Sequence, residues 1–188
     1  MACVQRSRTL TNEMPLADTL LFVAAFYVLM SCNEYAVHRL YMHSRFSSHV
    51  DHHAETREDM GLRETQACLD SDAWRGTSFS WPTVALIVLC ALPQALLLAR
   101  CFGFDGADAC AITAVAAAYQ GCTWNTLHPQ MHGMRDVPWT HGPPTLRGLL
   151  PACLLSYLVG NHREHHLSRG RRRFNVTLPG ADRLFGTY

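Results

Sequence analysis

The 188-residue chain contains no lysine; all sixteen basic residues are arginine, set against fifteen acidic ones for a net charge of +1. Charged residues make up only 16% of the chain, against roughly a quarter in an ordinary soluble domain. A nucleic-acid binder needs a strong basic excess on one face, and a disordered chain needs high charge with few apolar residues, so composition excludes both. Also missing is any cysteine pair at the spacing of a zinc ribbon or redox motif among Cys3, Cys32, Cys68, Cys90, Cys101, Cys110, Cys122 and Cys153. Several of these lie in apolar runs, and a disulfide scaffold would be shorter and more polar, so they read as reduced and mostly structural. No repeat, low-complexity tract or linker divides the chain. It reads as one membrane-embedded domain over residues 1–188, with a polar tail over about residues 1–14.

Apolar residues, by contrast, come in blocks. Pro15 to Cys32 is long enough, at about 27 Å of helix, to approach the hydrocarbon thickness of a bilayer, and it leads into Asn33 and Glu34 rather than a cleavage site, which favours an uncleaved anchor. Trp81 to Ala99 has an interfacial Trp81, a first-turn Pro82, one strongly polar member in Gln94 and a kink expected at Pro93. Ala107 to Cys122 is shorter and Ala-rich; Ala111, Ala114, Ala116, Ala117 and Ala118 would allow close helix approach, and a buried soluble helix is its competing reading. Leu149 to Gly160 is too short to cross and should lie in the interface or re-enter. Between the first two runs lies a polar stretch, Ala54 to Ser80. The expected architecture is all-α: a membrane helical bundle of about three transmembrane helices, one interfacial or re-entrant helix, and a cytoplasmic, histidine-rich metal cap.

Ten of the eleven histidines fall into four short groups: His38 with His43; His49, His52 and His53; His128 with His132; and His162, His165 and His166. Residues three and four apart share a helix face, so each H-x-x-H-H group is expected to present three imidazoles to one point. His128 and His132 are four apart, and Pro129 suits the first turn of a helix beginning there. His38 and His43 are five apart and diverge on an ideal helix, so they need either a local distortion or two different metals. Ten neutral imidazoles buried together would leave many nitrogens unpaired, and imidazole is the commonest metal ligand, so metal coordination is the expected answer. At about four ligands per ion, ten suggest two ions, and all-nitrogen ligation suits iron, copper, nickel or zinc about equally.

Topology points the same way. If the first run crosses once and the second and third form a hairpin, all four groups meet on one membrane face. Arg39, Arg45, Arg57, Arg63, Arg135, Arg163, Arg169 and Arg171 to Arg173 lie on that face, with Arg6, Arg8 and Arg100 opposite, so the positive-inside rule makes it cytoplasmic.

These residues resemble the fatty acid hydroxylase/sterol desaturase superfamily of membrane di-iron enzymes, from about Glu34 to Tyr188. His38 to His43 is similar to its H-x4-H box, His49 to His53 and His162 to His166 to its two H-x2-H-H boxes, and His128 to His132 to its H-x3-H box. The ending Asn175 to Tyr188, in which Asp182 precedes Leu184-Phe-Gly-Thr, resembles the family's tail. The link Ser44 to Ser48 is shorter than in fatty acid 2-hydroxylases and looks more like carotenoid hydroxylases, although those carry a longer third box. The resemblance implies O2-dependent hydroxylation or desaturation of a C–H bond in a membrane lipid such as an acyl chain or sterol. It also implies the ten histidines as ligands of two Fe ions, O2 as co-substrate, and zinc able to replace iron in purified or heterologous protein. No heme domain is fused to the chain, so electrons would come from an external donor of cytochrome b5 or ferredoxin type. An endoplasmic reticulum location is expected in a eukaryote.

Carboxylates that could orient the ligands are Glu34, Asp51, Glu55, Glu164 and Asp182, with Asn161 beside His162 as a polar contact. Arg171 to Arg173 could face anionic headgroups or an acidic donor, and Asn175-Val-Thr177 is a glycosylation sequon on the wrong side for use. His141, in a Pro-rich loop, stays outside the ligand set. Three competing readings remain. A carotenoid-type hydroxylase would use the same core, and a metal transporter should carry polar residues mid-span, where this chain is apolar. A heme carrier needs only two histidines per heme.

Overall fold

The structure, a computed structural model, describes residues 16–62, 76–79, 81–132 and 150–188. The polar tail, the middle of the Ala54 to Ser80 stretch with Arg63, and His141 with Arg135, Pro138, Pro143 and Pro144 lie outside the described residues; all ten grouped histidines lie within them. Among the described residues the regular structure is helical, apart from one isolated bridge between Thr56 and Leu62.

Helix α1 spans Leu16–Ala36 and runs directly into a π-helical turn, Val37–Met42. Next come α2 (His49–Glu55), α3 (Trp81–Phe102), α4 (Gly106–Met131), α5 (Ala152–Leu167) and a short α6 (Ala181–Leu184). Helix α3 continues through Pro93. It ends where Gly103, at φ 78°, turns the chain, and α4 starts with a reciprocal cap between Asp105 and Asp108. Phe22, near the start of α1, packs its ring 4.3 Å from that of Phe104 in this turn. The α3–α4 turn therefore sits beside the beginning of α1, and the histidines gather at the other end.

Two helical stretches are long and apolar enough to cross a membrane, Leu16–Met42 and Thr83–Phe102. On α1 the outward residues Leu16, Leu20, Leu21, Val23 and Val28 are exposed, as are Leu89, Leu96 and Leu97 on α3. The α1 face turned inward, Phe22, Phe26 and Met30, belongs to the same core as Ala91, Ala95 and Ala99 of α3. Those three alanines recur every fourth residue and are fully buried, which lets the helices approach closely. Close approach was expected instead from the alanines of α4. There Ala111, Ala114 and Ala118 are exposed and Ala116 and Ala117 only half-buried.

Helix α4 is inverted relative to a soluble helix. Its buried face carries Ala109, Thr113, Gln120, Thr123 and Trp124, while Val115 and most alanines face outward. This explains why the helix is long enough to cross yet has modest average hydropathy. Its C-terminal part also corrects an expectation: no new helix begins at His128, because Pro129 lies inside α4, in its last turn, where it forgoes one intrahelical backbone bond just before the helix ends. The fourth apolar run, likewise, is the first half of α5, which ends in His162, His165 and His166.

The C-terminal segment folds back on α1. The Glu34 carboxylate, 3% exposed, accepts from Thr177 N (2.8 Å), Thr177 Oγ1 (2.8 Å), Leu178 N (2.8 Å) and Asn175 Nδ2 (3.3 Å). Ser31 Oγ donates to Leu178 O and accepts from Ala181 N. The Asp182 carboxylate accepts from Phe174 N, Asn175 N and Thr187 Oγ1. Asn175 of the sequon is 1% exposed with its side chain fully engaged, so the fold itself closes that site.

Replacing Glu34 with Ala strands four donors in a dry interface and should cost about 3 kcal/mol or more, whereas Glu34→Gln, which keeps an acceptor, should cost less. Thermal unfolding in detergent and proteolysis of the tail measure this. Equal melting of Glu34→Ala and wild type would mean that the tail is held elsewhere.

Candidate metal centre

The ten grouped histidines come from five places: the π-helical turn and the residue after it, α2, the end of α4, the residue after α4, and α5. The structure sorts them into two nests of five. His38, His43, His49, His53 and His165 form one; His52, His128, His132, His162 and His166 form the other. Within each nest one ring nitrogen per histidine lies within 4.8 Å of all the others.

The sorting differs from the expected one. Each H-x-x-H-H group does not point three imidazoles at one spot. Its i, i+4 pair serves one nest and its middle histidine the other, because a step of four on a helix nearly restores the direction while the middle residue diverges. His49 and His53 thus join the first nest and His52 the second; His162 and His166 join the second and His165 the first. The His38–His43 pair shows the local distortion that its five-residue spacing requires. The turn is π-helical, with His43 N donating to His38 O across five residues (3.2 Å), which brings both rings to the same nest.

Ring tautomers follow from the partners of Nδ1. A carbonyl oxygen only accepts, so each Nδ1 facing one carries the proton. His38 Nδ1 donates to Phe174 O (2.6 Å), His49 to Gly76 O (2.9 Å), His128 to Thr77 O (2.7 Å), His132 to Met60 O (2.8 Å) and His165 to Arg172 O (2.6 Å). Each of these Nε2 atoms therefore presents a bare lone pair. Yet His38 Nε2 and His49 Nε2, both bare, are 3.0 Å apart. His165 Nε2 lies 3.1 Å from both His43 Nε2 and His53 Nε2, and His49 Nε2 lies 3.2 Å from His53 Nε2. In the second nest His162 Nε2 is 2.9 Å from His132 Nε2 and 3.1 Å from His166 Nε2. His52 is fully buried with neither ring nitrogen partnered, and buried His128 Nε2 also has no partner.

Protonation does not relieve this crowding. Burial, the dominant cause, holds His49, His52 and His162 far below the ordinary imidazole value, with neighbouring histidines adding to the shift. Burial alone lowers His43 to about 4. It also lowers His132 to about 4, against a small opposing effect of the Met60 carbonyl, and His165 to about 3. Neutral imidazoles converging at this range, with both Nε2 atoms bare in the His38–His49 pair, could hold a cation. With a metal–nitrogen bond of about 2.1 Å, neighbours at right angles lie about 3.0 Å apart and tetrahedral neighbours about 3.4 Å. The observed 2.9–3.2 Å spacings match the right-angled arrangement. Each nest of five donors could thus hold a metal ion.

Around the nests the fold is apolar. Trp124 is fully buried, its ring stacked on Phe79 (4.6 Å), and it touches His128 (4.6 Å) and His38 (5.4 Å), one histidine from each nest. The carbonyl partners were not foreseen. Three of the five come from the two ends of the polar stretch, at Met60, Gly76 and Thr77, and two from Arg172 and Phe174. No side-chain pattern marks a backbone carbonyl, so only the fold reveals them. Glu34, Asn161 and Asp182 act one step further out than expected. Asn161 Nδ2 donates to Asn175 O (2.6 Å), and together the three hold the segment that offers the Phe174 carbonyl to His38. Asp51 and Glu164 are exposed.

Comparison with protein-family models, with curated proteins and with solved structures gives no match for this chain.

Two outcomes follow from this geometry. Gly170, at φ 66°, lies so close to His43 that an added Cβ would overlap the imidazole ring. Gly170→Ala should therefore lower metal content from about two ions per chain toward one, read by elemental analysis; unchanged loading would show that His43 is dispensable. In metal-free protein, stability should fall as pH drops from about 6.5 to about 4. Over that window the unfolded chain takes up protons at His43 and His132 that the folded chain refuses, so the unfolded state gains on acidification. Unfolding temperatures measured across this range test it, and a flat profile would contradict the neutral nests.

Proposed function

We propose that this chain is a membrane di-iron oxidoreductase that uses O2 to hydroxylate or desaturate a C–H bond of a lipid, as the superfamily its histidine boxes and tail resemble would imply. The observation that carries the reading is the pair of five-nitrogen nests, with ring nitrogens about 3 Å apart in each and, in the first, two bare Nε2 atoms facing each other. Five donors per nest exceed the four of a closed structural zinc site and leave a six-coordinate ion one further position. That favours a redox metal over structural zinc, and iron is the metal of the family resembled. Bound iron would supply O2 activation and hydrogen abstraction, chemistry no side chain of this protein can perform.

The protein's own part is to hold, orient and exclude. His38, His43, His49, His53 and His165 would hold one ion, and His52, His128, His132, His162 and His166 the other. The five carbonyls fix the tautomers of His38, His49, His128, His132 and His165, so that these five Nε2 atoms are ready to bind without a proton to displace. Trp124 and Phe79 close the centre on the membrane side with a flat apolar wall, which excludes water. We infer three spans, with α4 the third, since its outward face is apolar and its inward face polar. The histidine end would then face the cytoplasm by the distribution of arginines. An acyl or isoprenoid chain would lie along α1, α3 and α4 with its reacting carbon beneath the nests, and an external one-electron donor would supply reducing equivalents.

A carotenoid-type hydroxylase on the same core is the second reading, favoured by the five-residue link Ser44 to Ser48 between the first two boxes.

Expression in a lipid-producing host, followed by lipid mass spectrometry, tests the proposal. Wild type should yield a lipid heavier by one oxygen if it hydroxylates, or lighter by two hydrogens if it desaturates, and His165→Ala should abolish that product. Identical lipids from both would remove the enzymatic reading.

A further inference from the structure

We propose that Gln120 reads a neutral oxygen function, a hydroxyl or carbonyl, on the substrate, away from the carbon that is oxidised. The inference rests on the lipid-oxidising reading above. Gln120, Trp124 and His128 follow one another at intervals of four on α4, so they form one stripe of its buried face, leading from the membrane interior to the second nest. Gln120 lies roughly 12 Å along the helix axis from His128, at eight residues' rise. It is 1% exposed, yet neither its Oε1 nor its Nε2 has a partner, and the Nε1–H of fully buried Trp124 has none either.

Elsewhere in this interior some polar groups are paired, although Asn33 Nδ2, Ser78 Oγ and Thr126 Oγ1 also lack partners. Thr113 Oγ1 donates to Ala109 O (2.7 Å), and Gln94 Nε2 donates to Asn33 Oδ1 (3.1 Å) across two helices. A buried amide left without partners is expensive, so its retention on the stripe beneath the metal centre points to a ligand that completes it. The chemistry required is narrow. Gln120 brings a donor and an acceptor, Trp124 a donor, and none carries charge. The buried carboxylate of Glu34, on α1, is already saturated by four donors. A neutral hydroxyl or carbonyl fits; a plain saturated chain or a hydrocarbon carotene would leave these groups stranded. A site built to hydrogen-bond a substrate oxygen discriminates strongly against analogues that lack it.

The test uses iron-loaded protein in detergent, supplied with O2 and a chemical one-electron reductant, with a long-chain saturated fatty acid and a series of its monohydroxy derivatives, the hydroxyl moved stepwise along the chain. Binding is read as ligand-induced stabilisation against thermal unfolding, and turnover as oxidised product by mass spectrometry. Wild type should prefer one hydroxyl position by about tenfold, the value of one hydrogen bond. Gln120→Met should lose that preference while keeping its iron, and Trp124→Phe should weaken it. Should Gln120→Met fail to hold iron, Trp124→Phe decides: an undiminished preference overturns the assignment. No positional preference in wild type, as expected if a trapped water satisfies the amide, also overturns it, as does an unchanged preference in Gln120→Met. Oxidation of the parent acid without positional preference would sink this inference and leave the lipid-oxidising reading standing. A positional binding preference without oxidation of any lipid would do the reverse.

Discussion

The constraint on which the described fold turns is that buried imidazole nitrogens are held facing each other, in one pair with no proton between them. The His38–His49 contact at 3.0 Å is the simplest case: both Nδ1 atoms donate to carbonyls, so both Nε2 atoms can only accept. In water such a pair would separate or protonate. Here burial forbids protonation and the backbone forbids separation. The apolar helices, the polar stretch and the tail can all be understood as the means of maintaining that arrangement until a cation compensates it.

The tail illustrates how far the constraint reaches. His38 is held by the carbonyl of Phe174, whose own N–H is held by Asp182. Asn175, next in the chain, donates to Glu34, one helical turn before His38. The loop is closed: a carboxylate on α1 fastens the tail, and the tail returns a carbonyl to a histidine on the continuation of α1. Such a circuit orients a ligand without placing a negative charge against it. The contrast matters for chemistry. A carboxylate bonded directly to Nδ1 would raise ligand basicity more than the five neutral carbonyls do, so a metal ion held here would be more electron-poor.

The histidines themselves were legible because spacing is geometry. Steps of three and four, and one of five that needed a π-helical turn, are enough to nominate all ten positions and the distortion at His38–His43. Their division between two nests was not legible, since the difference between a middle histidine sharing its neighbours' target and choosing another is a matter of helix placement. Carbonyl partners escaped for a plainer reason: Met60, Gly76, Thr77, Arg172 and Phe174 contribute no side-chain chemistry to the bond. Glu34 was legible as an unusual residue but not in its role, because a buried carboxylate beside a histidine in sequence has several donors to choose from in space.

Helix α4, if it crosses as proposed, would show the limit of reading such a segment by average hydropathy. Between lipid and protein the apolar side of a helix turns outward, so a span could hold Thr113, Gln120 and Thr123 on its inward side, where they lie. An average over the helix then mixes two environments and understates both. The same inversion gives the buried face its functional potential. In a soluble core these positions would be aliphatic, and nothing would distinguish one lipid chain from another beneath the histidines. Here the face that carries His128 into the second nest also carries an amide and an indole N–H without partners, so under the proposed reading a ligand below the centre and a metal at its top would both be constrained by one rigid helix.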